Sequence, residues 1–138
     1  MTAISAPTPV LVLKKWGTEE IIVNSTYCGK RLTVMPGCSC SIHYHIKKTE
    51  TFFVLDGRLS LELYGAYCAG NPLEPIGCKV LRPGRSLTIN PLTPHRFWAY
   101  SEPVRFMEFS TTDAAEDSIR LLESGPIPPE RFDTDGIW

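Results

Sequence analysis

Short apolar runs, each closed by proline or glycine, recur along the whole chain. Twelve prolines and ten glycines interrupt stretches rich in valine, isoleucine, leucine, phenylalanine and tyrosine. Runs of β-branched and aromatic residues bounded by turn residues are typical of an all-β sandwich or barrel. The pattern predicts a set of short strands that suits a jelly roll with an additional N-terminal arm. These strands cover residues 10–14, 20–24, 30–35, 40–45, 50–55, 58–64, 78–81, 86–89, 95–99 and 104–110.

One pair of predicted strands is joined by a clear turn signal. Asp56 and Gly57 separate residues 50–55 from residues 58–64. Asp-Gly favours a tight hairpin because both residues tolerate a positive φ, so we expect these two strands to pair. In the second strand leucine occupies every other position, the period of a strand with one apolar face. Glycine, asparagine and proline then cluster at 65–77, which predicts a loop.

The pattern changes after residue 110. The segment TTDAAEDSIRLLESG offers a threonine or aspartate cap, acids in the first turn, and Ile119 with Leu122 as a small apolar stripe. These features predict a short C-terminal helix. The proline-rich tail at 125–138 is expected to lie along the barrel or a neighbouring subunit. The expected barrel core spans about 20–110, with the helix and tail at 112–138.

Composition narrows the classes of function. The chain has 138 residues and 43% apolar content, which suits one compact domain. Lysine and arginine number 14 against 15 acids, so no electrostatic footprint for nucleic acid or an anionic membrane is expected, although one phosphate group remains possible. The start of the chain lacks the pattern of a secretory signal, and no window reaches the ~18 apolar residues that a membrane span needs. These features, with five cysteines expected to be reduced, predict a cytoplasmic protein.

The chain's three histidines carry the candidate chemistry. Residues two apart on a strand share a face, so His43 and His45 point the same way. Glu50 begins the next predicted strand after a short loop, and His95 begins a later one. We expect three imidazoles and one carboxylate to converge on one divalent transition metal ion. Zn, Mn, Fe, Co and Ni all suit such a set, which leaves about one or two coordination positions open for water or substrate.

The spacing of these residues resembles the first motif of the cupin family. Gly37 is followed by five residues, His43, one residue, His45, four residues, Glu50, six residues and Gly57, which matches that motif without a gap. The two glycines suit turns beside strands, where a side chain would be unfavourable. The resemblance implies a double-stranded β-helix barrel with the metal inside its mouth.

A later stretch resembles the second cupin motif. Residues 82–84 (RPG) and 91–97 (PLTPHRF) follow it and contain His95, with Thr93 where glycine is frequent. On this resemblance the chain, residues 1–138, is a single cupin domain.

Four further segments resemble the cupin domain of type II mannose-6-phosphate isomerases, the C-terminal domain of the bifunctional isomerase/guanylyltransferase. They are, in order, KWG at 15–17, KRLTVMPG at 30–37, ETFFVLDG at 50–57 and EDSIRL at 116–121. The similarity runs over about residues 15–121, nearly the whole chain. It implies an aldose–ketose isomerase that acts on a small-molecule sugar or sugar phosphate.

The chain departs from those enzymes in two positions of the site. His43 stands where they carry a glutamine ligand, and Lys48 replaces their arginine two residues before the glutamate. We also expect no N-terminal nucleotidyltransferase domain of the kind those enzymes carry. This expectation excludes guanylyl transfer as a function but leaves sugar isomerisation open. With the extra histidine the site resembles that of D-lyxose isomerases, whose metal is held by three histidines and a glutamate.

An isomerase also needs a base. The metal would bind the carbonyl and hydroxyl oxygens of an open-chain sugar and stabilise an enediolate, while a base moves the proton between neighbouring carbons. Glu108 is the candidate base, since alternation places it on one face with Val104 and Phe106, where burial would raise its pKa. Lys48 is a second catalytic candidate. Lys48 and Arg96 are candidates for binding the substrate at the rim.

Two rival functions fit the same residues. The protein could be a non-catalytic carbohydrate-binding cupin, or an Fe-dependent cupin dioxygenase, since three histidines and a glutamate also serve that chemistry. An N-terminal arm at 8–14 is expected to pair across a homodimer, as the resemblance implies.

Overall fold

The computed structural model describes residues 3–67 and 72–128. Within these residues the chain forms thirteen strands and one 3-10 turn, Ala115–Asp117. The first seven strands are β1 (Val10–Lys14), β2 (Gly17–Asn24), β3 (Tyr27–Val34), β4 (Cys38–Ser39), β5 (Ile42–His45), β6 (Glu50–Asp56) and β7 (Leu59–Tyr64). The remaining six are β8 (Pro75–Leu81), β9 (Ser86–Ile89), β10 (His95–Trp98), β11 (Val104–Thr111), β12 (Ser118–Leu122) and β13 (Gly125–Pro126).

Two antiparallel sheets form the barrel. The first has the order β1-β2-β3-β11-β6-β9, the second has the order β12-β5-β10-β7-β8, and β13 pairs with β4 in a short ribbon. Apolar side chains from both sheets pack into one core, with Leu32, Phe52, Leu61, Phe97 and Phe106 among its buried members. The crossed strand order and the shared core confirm the predicted all-β barrel.

Alternation along two central strands carries charged residues into the barrel. Leu32 on β3 and Phe106 on β11 are register partners, and both are buried. Lys30 lies two positions before Leu32 and Glu108 two positions after Phe106, and these two residues are also register partners and also buried. Because residues two apart share a face, the ammonium and the carboxyl group point into the same interior as the apolar side chains.

The predicted hairpin at Asp56 and Gly57 is wrong. β6 lies in the six-stranded sheet and β7 in the five-stranded sheet, so the turn carries the chain from one sheet to the other. Gly57 has a φ of 75°, and a Cβ there would lie 2.5 Å from the carbonyl oxygen of Pro103. Only glycine fits this turn, but it does not dictate which strands pair. Both faces of β7 are buried, because all six of its residues are buried.

The predicted C-terminal helix is also wrong. A three-residue 3-10 turn leads into β12, which pairs with β5. Asp117, expected as an acid of the first helical turn, accepts hydrogen bonds from the backbone N–H groups of Lys47 at 2.8 Å and Lys48 at 3.0 Å. A short isolated helix is marginal in water, so these tertiary hydrogen bonds and the strand pairing decide the conformation.

The N-terminal arm forms the edge of the larger sheet. β1 pairs with β2 of its own chain, and Val10, Leu11 and Leu13 are exposed. Trp16 follows, buried edge-on against Phe97 with ring centroids 5.0 Å apart. The end of the predicted tail, residues 129–138, lies outside the described residues. So does Cys68, one of the five cysteines expected to be reduced. In the part of the chain that is described, no helix has the length and apolarity to cross a bilayer.

Candidate metal centre

The four predicted ligands lie together inside the barrel. β5 supplies His43 and His45, β6 begins with Glu50, and β10 begins with His95. His95 and His43 are register partners on neighbouring strands, so their side chains share a face. One nitrogen or oxygen atom from each residue lies within 4.8 Å of the others. The cluster could therefore hold a metal ion.

Backbone carbonyl groups fix the orientation of two of the imidazoles. The Nδ1 atom of His43 is 2.9 Å from the carbonyl oxygen of Ser41 and 3.1 Å from its hydroxyl oxygen. The Nδ1 atom of His95 is 2.8 Å from the carbonyl oxygen of Thr93. When Nδ1–H donates to a carbonyl, the Nε2 atom keeps its lone pair, as a metal ligand requires. These contacts therefore prepare both rings to bind through Nε2.

The protonation states also suit a cation. Burial lowers the pKa of His43 to about 3 and that of His45 to about 4, so both rings are neutral at pH 7. Burial alone would raise the pKa of Glu50, but its contacts with His95 and Lys48 hold that pKa below its usual range. For His95, burial opposes the charge, but the contact with Glu50 raises its pKa above the usual value. Neutral imidazoles and an ionised carboxylate are the forms that bind metals, so a metal ion would displace any proton from His95.

Unpaired buried atoms test whether an ion fits this centre. Among the described residues, Nδ1 of His45 is buried without a hydrogen-bond partner, and Oε1 of Glu50 and Nε2 of His95 are buried with no partner except each other. Oε1 of Glu50 lies 2.8 Å from Nε2 of His95 and 3.7 Å from Nε2 of His45. Buried polar atoms without partners are rare because they are unfavourable, and a bound cation is one explanation of such a group. The donor set and the unpaired atoms therefore fit a divalent ion.

A buried lysine links this centre to a second group of acids. The Nζ atom of Lys48 lies 3.3 Å from Oε2 of Glu50, 3.0 Å from Oε2 of Glu108 and 3.0 Å from Oδ1 of Asp113. Although burial opposes the charge, these carboxylates raise the pKa of Lys48, so it stays protonated. The sequence predicted Lys48 at the rim, whereas the structure buries it beside the candidate ligands.

A second lysine extends the network. The Nζ atom of Lys30 is 2.7 Å from Glu19, 2.8 Å from Asp113 and 3.9 Å from Glu108. The sequence reasoning did not select Lys30, Glu19 or Asp113. For Lys30 a signal was present, since alternation puts it on the inward face with Leu32. Asp113 follows the last barrel strand and carried no such signal.

Glu108 lies at the centre of this network. Its carboxyl group is buried, and burial together with the negative charge of Glu50 raises its pKa to about 7, against the opposing effect of Lys48 and Lys30. The carboxyl group is therefore poised to gain or lose a proton near neutral pH. Glu108 lies on the same buried face of β11 as Val104 and Phe106, as the alternation predicted.

One cavity of about 550 Å³ joins these groups. The candidate ligands His43, His45 and Glu50 line it together with Glu108, Lys48, Lys30 and Asp113. Aromatic walls come from Trp16, Phe52 and Phe97. Its size falls in the range of about 300–1,000 Å³ that is common for small-molecule sites. Most of its lining residues are polar or charged, which suits a polar ligand.

The Cupin domain family model matches residues 30–110, more than half of the chain and the stretch that contains all four candidate ligands. The chain belongs to the cupin family. This cupin is also similar to the D-lyxose ketol-isomerase of Thermofilum sp. (strain ex4484_79), with 32% identity over 78% of this chain and 70% of that protein.

Solved structures share the same barrel. The capsular polysaccharide assembling protein CapF from Staphylococcus aureus has a TM-score of 0.69 and 14% identity, over 87% of this cupin and 33% of CapF. KdgF from Halomonas sp. has a TM-score of 0.61 and 15% identity, over 76% of this cupin and 86% of KdgF. This cupin thus spans about a third of CapF. At these identities the likeness shows the fold alone.

Arg96, the second predicted substrate-binding cation, does not line the cavity. It follows His95 on β10, and alternation turns it to the opposite face of the sheet. Its Nη2 atom lies 3.3 Å from both carboxylate oxygens of Glu62, and its guanidinium group lies 5.5 Å from the centroid of the Trp98 ring. In this cupin the Arg96 side chain therefore lies on the face of the sheet that points away from the cavity.

Cys40 is the thiol that reaches the cavity wall. Its Sγ atom accepts a hydrogen bond from the backbone N–H of Phe97 at 3.2 Å. Burial raises the pKa of this thiol to about 12, so the thiolate form that binds metals is not populated at neutral pH. Among the described residues, the group that could hold an ion contains no cysteine.

Proposed function

We propose that this cupin is a metal-dependent aldose–ketose isomerase that acts on a small sugar or sugar phosphate, in the manner of mannose-6-phosphate isomerases. The observation that carries the proposal is that the four candidate ligands and the buried carboxyl group of Glu108 belong to one network inside the barrel. The similarity to a D-lyxose ketol-isomerase supports this class of reaction.

The metal would be held by His43, His45, Glu50 and His95. When bound, it would supply a Lewis acid for the carbonyl and neighbouring hydroxyl oxygens of an open-chain sugar. Isomerisation moves one proton between two adjacent carbons and one proton between the two oxygens that they carry. The protein must accept and return the carbon-bound proton. Glu108 is proposed to take the proton from one carbon as a carboxylate and give it back to the neighbouring carbon as a carboxylic acid.

Lys48 is proposed to assist by holding the base. Its Nζ atom contacts both Glu50 and Glu108, at 3.3 Å and 3.0 Å. A protonated ammonium beside a carboxyl group favours the ionised form, so Lys48 offsets part of the effect of burial on Glu108. The contact also fixes the position of the carboxylate relative to the metal ligands, which helps to place the base close to the reacting carbons.

The cavity walls are proposed to exclude water from the reaction. Trp16 and Phe97 are both buried and pack against each other at the cavity surface. Apolar walls strengthen the electrostatic contacts inside the cavity.

The proposal is tested by elemental analysis of protein purified without added metal, followed by an aldose–ketose interconversion screen of the metal-replete protein. We expect one divalent transition metal per chain and turnover of at least one sugar or sugar phosphate. Stoichiometric metal with ligand binding but no turnover would instead favour the carbohydrate-binding cupin. Iron with oxygen consumption would favour the dioxygenase.

We also propose that the protein works as a cytoplasmic homodimer. The open edge of β1 carries exposed Val10, Leu11 and Leu13, and pairing with a second copy would cover both these side chains and the free backbone groups. Sedimentation velocity should give a dimer, and Leu13→Lys should shift it toward monomer. A concentration-independent monomer for the wild type would contradict the dimer.

A further inference from the structure

Asp113 joins the two buried lysines of the cavity. One of its carboxylate oxygens accepts a hydrogen bond from Nζ of Lys30 at 2.8 Å, and the other accepts one from Nζ of Lys48 at 3.0 Å. Although burial opposes the charge, these contacts lower the pKa of Asp113 to about 2, so the carboxylate is ionised at neutral pH. A single side chain thus fixes the two ammonium groups relative to each other.

Both ammonium groups also face the proposed base. Nζ of Lys48 lies 3.0 Å from Oε2 of Glu108, and Nζ of Lys30 lies 3.9 Å from the same oxygen atom. Within residues 3–67 and 72–128, the ion pairs of Asp113 are with these two lysines alone. A lysine side chain is flexible, so its ammonium group takes one position only when several acceptors hold it. Asp113 therefore acts on Glu108 through the lysines.

Asn24, the last residue of β2, holds the backbone of Asp113 in turn. Its Oδ1 atom accepts a hydrogen bond from the backbone N–H of Asp113 at 3.0 Å, and its Nδ2 atom donates one to the carbonyl oxygen of Asp113 at 3.0 Å. The side-chain amide thus pairs with both backbone polar groups of one residue, as a neighbouring strand would. Next to this pair, the Thr112 hydroxyl donates to the carbonyl oxygen of Ser25 at 2.7 Å. Asn24 itself is exposed and does not line the cavity.

We propose that Asp113 is a positioning residue of this isomerase: with its backbone held by Asn24, its carboxylate fixes the two lysines that place the base Glu108. The inference rests on the proposed function and adds two residues that act through the base rather than on the substrate. A base must lie within hydrogen-bond reach of the proton that it takes, and a misplacement of about 1 Å can lower a rate by about 10²-fold. An exposed amide on the outside of the barrel thereby influences the chemistry inside it.

Nuclear magnetic resonance of the lysine ammonium groups tests this positioning without turnover. Buried groups held by several acceptors exchange their protons slowly with water, so the isotope-labelled, zinc-loaded protein should show two slowly exchanging ammonium signals, from the two buried lysines. Asp113→Asn and Asn24→Ala should shift or broaden these signals. Glu116→Gln and Ser25→Ala are matched controls that should leave them unchanged, because both residues are exposed and neither lines the cavity. Signals that stay unchanged in both Asp113→Asn and Asn24→Ala would overturn the inference.

Kinetics of the metal-replete variants separate positioning from a general effect on folding. Asp113→Asn should lower kcat by about 10²-fold and Asn24→Ala by about ten-fold, while KM stays within about two-fold of the wild type. Metal content should be equal in all variants. In a Glu108→Gln background, Asp113→Asn should cause no further loss, because a residue that acts through the base has no effect once the base is absent. Losses that multiply, or a rise in KM alone, would contradict the positioning role. If Asp113→Asn does not fold, Asn24→Ala in the same background provides the comparison.

The two measurements together separate this inference from the proposed function. Ammonium signals that depend on Asp113 and Asn24, in a protein that isomerises no sugar, would support the positioning of the lysines and contradict the isomerase. Isomerisation that Asp113→Asn and Asn24→Ala both leave within about two-fold of the wild-type kcat would support the isomerase and overturn the positioning role.

Discussion

The variant His45→Ala should lose both its metal and its activity. His45 supplies one of four candidate ligands, and the remaining three would leave an incomplete coordination shell. Loss of an outer partner of a metal ligand already lowers metal affinity by about 10–100-fold, so loss of a ligand itself should lower it at least as much. Elemental analysis after dialysis should find one metal per chain in the wild type and little in the variant. Aldose–ketose turnover should fall to background with it.

Tyr44→Phe is the matched control for this experiment. Tyr44 lies between the two histidines on β5, and its ring packs near Tyr67, with centroids 5.4 Å apart, rather than in the ligand cluster. This variant should keep its metal and its turnover. A His45→Ala protein that retains stoichiometric metal would remove His45 from the ligand set, and an active metal-free protein would refute the metal-dependent mechanism.

The ligand cluster could be predicted from the sequence because strand periodicity alone nearly determines it. Two histidines two positions apart on a strand must share a face, and Glu50 follows after a loop too short to carry it far. The only non-local element was His95, and the structure makes it the register partner of His43. Local rules together with a family resemblance were therefore sufficient for the four candidate ligands.

The wrong predictions have a common physical origin. The Asp-Gly turn and the capping pattern after residue 110 are local signals, and each is compatible with more than one tertiary arrangement. Gly57 meets the geometric demand of its turn while β6 and β7 belong to different sheets. Asp117 bonds to the backbone of a distant loop instead of capping a helix. Strand pairing and long-range hydrogen bonds outweighed both local preferences.

The charged side chains around the ligands were the hardest part to predict. Alternation would have turned Arg96 away from His95, and it would have turned Lys30 inward with Leu32, yet long cationic side chains are usually assigned to solvent. Their burial becomes favourable only because several carboxylates surround each lysine, and these acids come from distant parts of the chain. Asp113 contacts both Lys30 and Lys48 across more than sixty positions of sequence.

The second large effect is expected at Glu108. Glu108→Gln keeps the size of the side chain but removes the group that takes up the proton, so kcat should fall by about 10²–10⁴-fold while the metal is retained. Nuclear magnetic resonance in D₂O should also show loss of hydrogen exchange at the carbon next to the carbonyl group. Glu102→Gln is the control, because Glu102 is exposed and lies outside the cavity.

The pH dependence provides a separate signature of the same residue. Burial and the charge of Glu50 raise the pKa of Glu108 to about 7, and a base acts only when ionised, so kcat should fall as the pH drops through this range. A bound divalent cation favours the carboxylate and moves this acid limb to lower pH. The limb should be absent from the residual activity of Glu108→Gln. A variant with an unchanged pH profile and kcat within about ten-fold of the wild type would transfer the role of base to another group and leave Glu108 with a structural role in the lysine network.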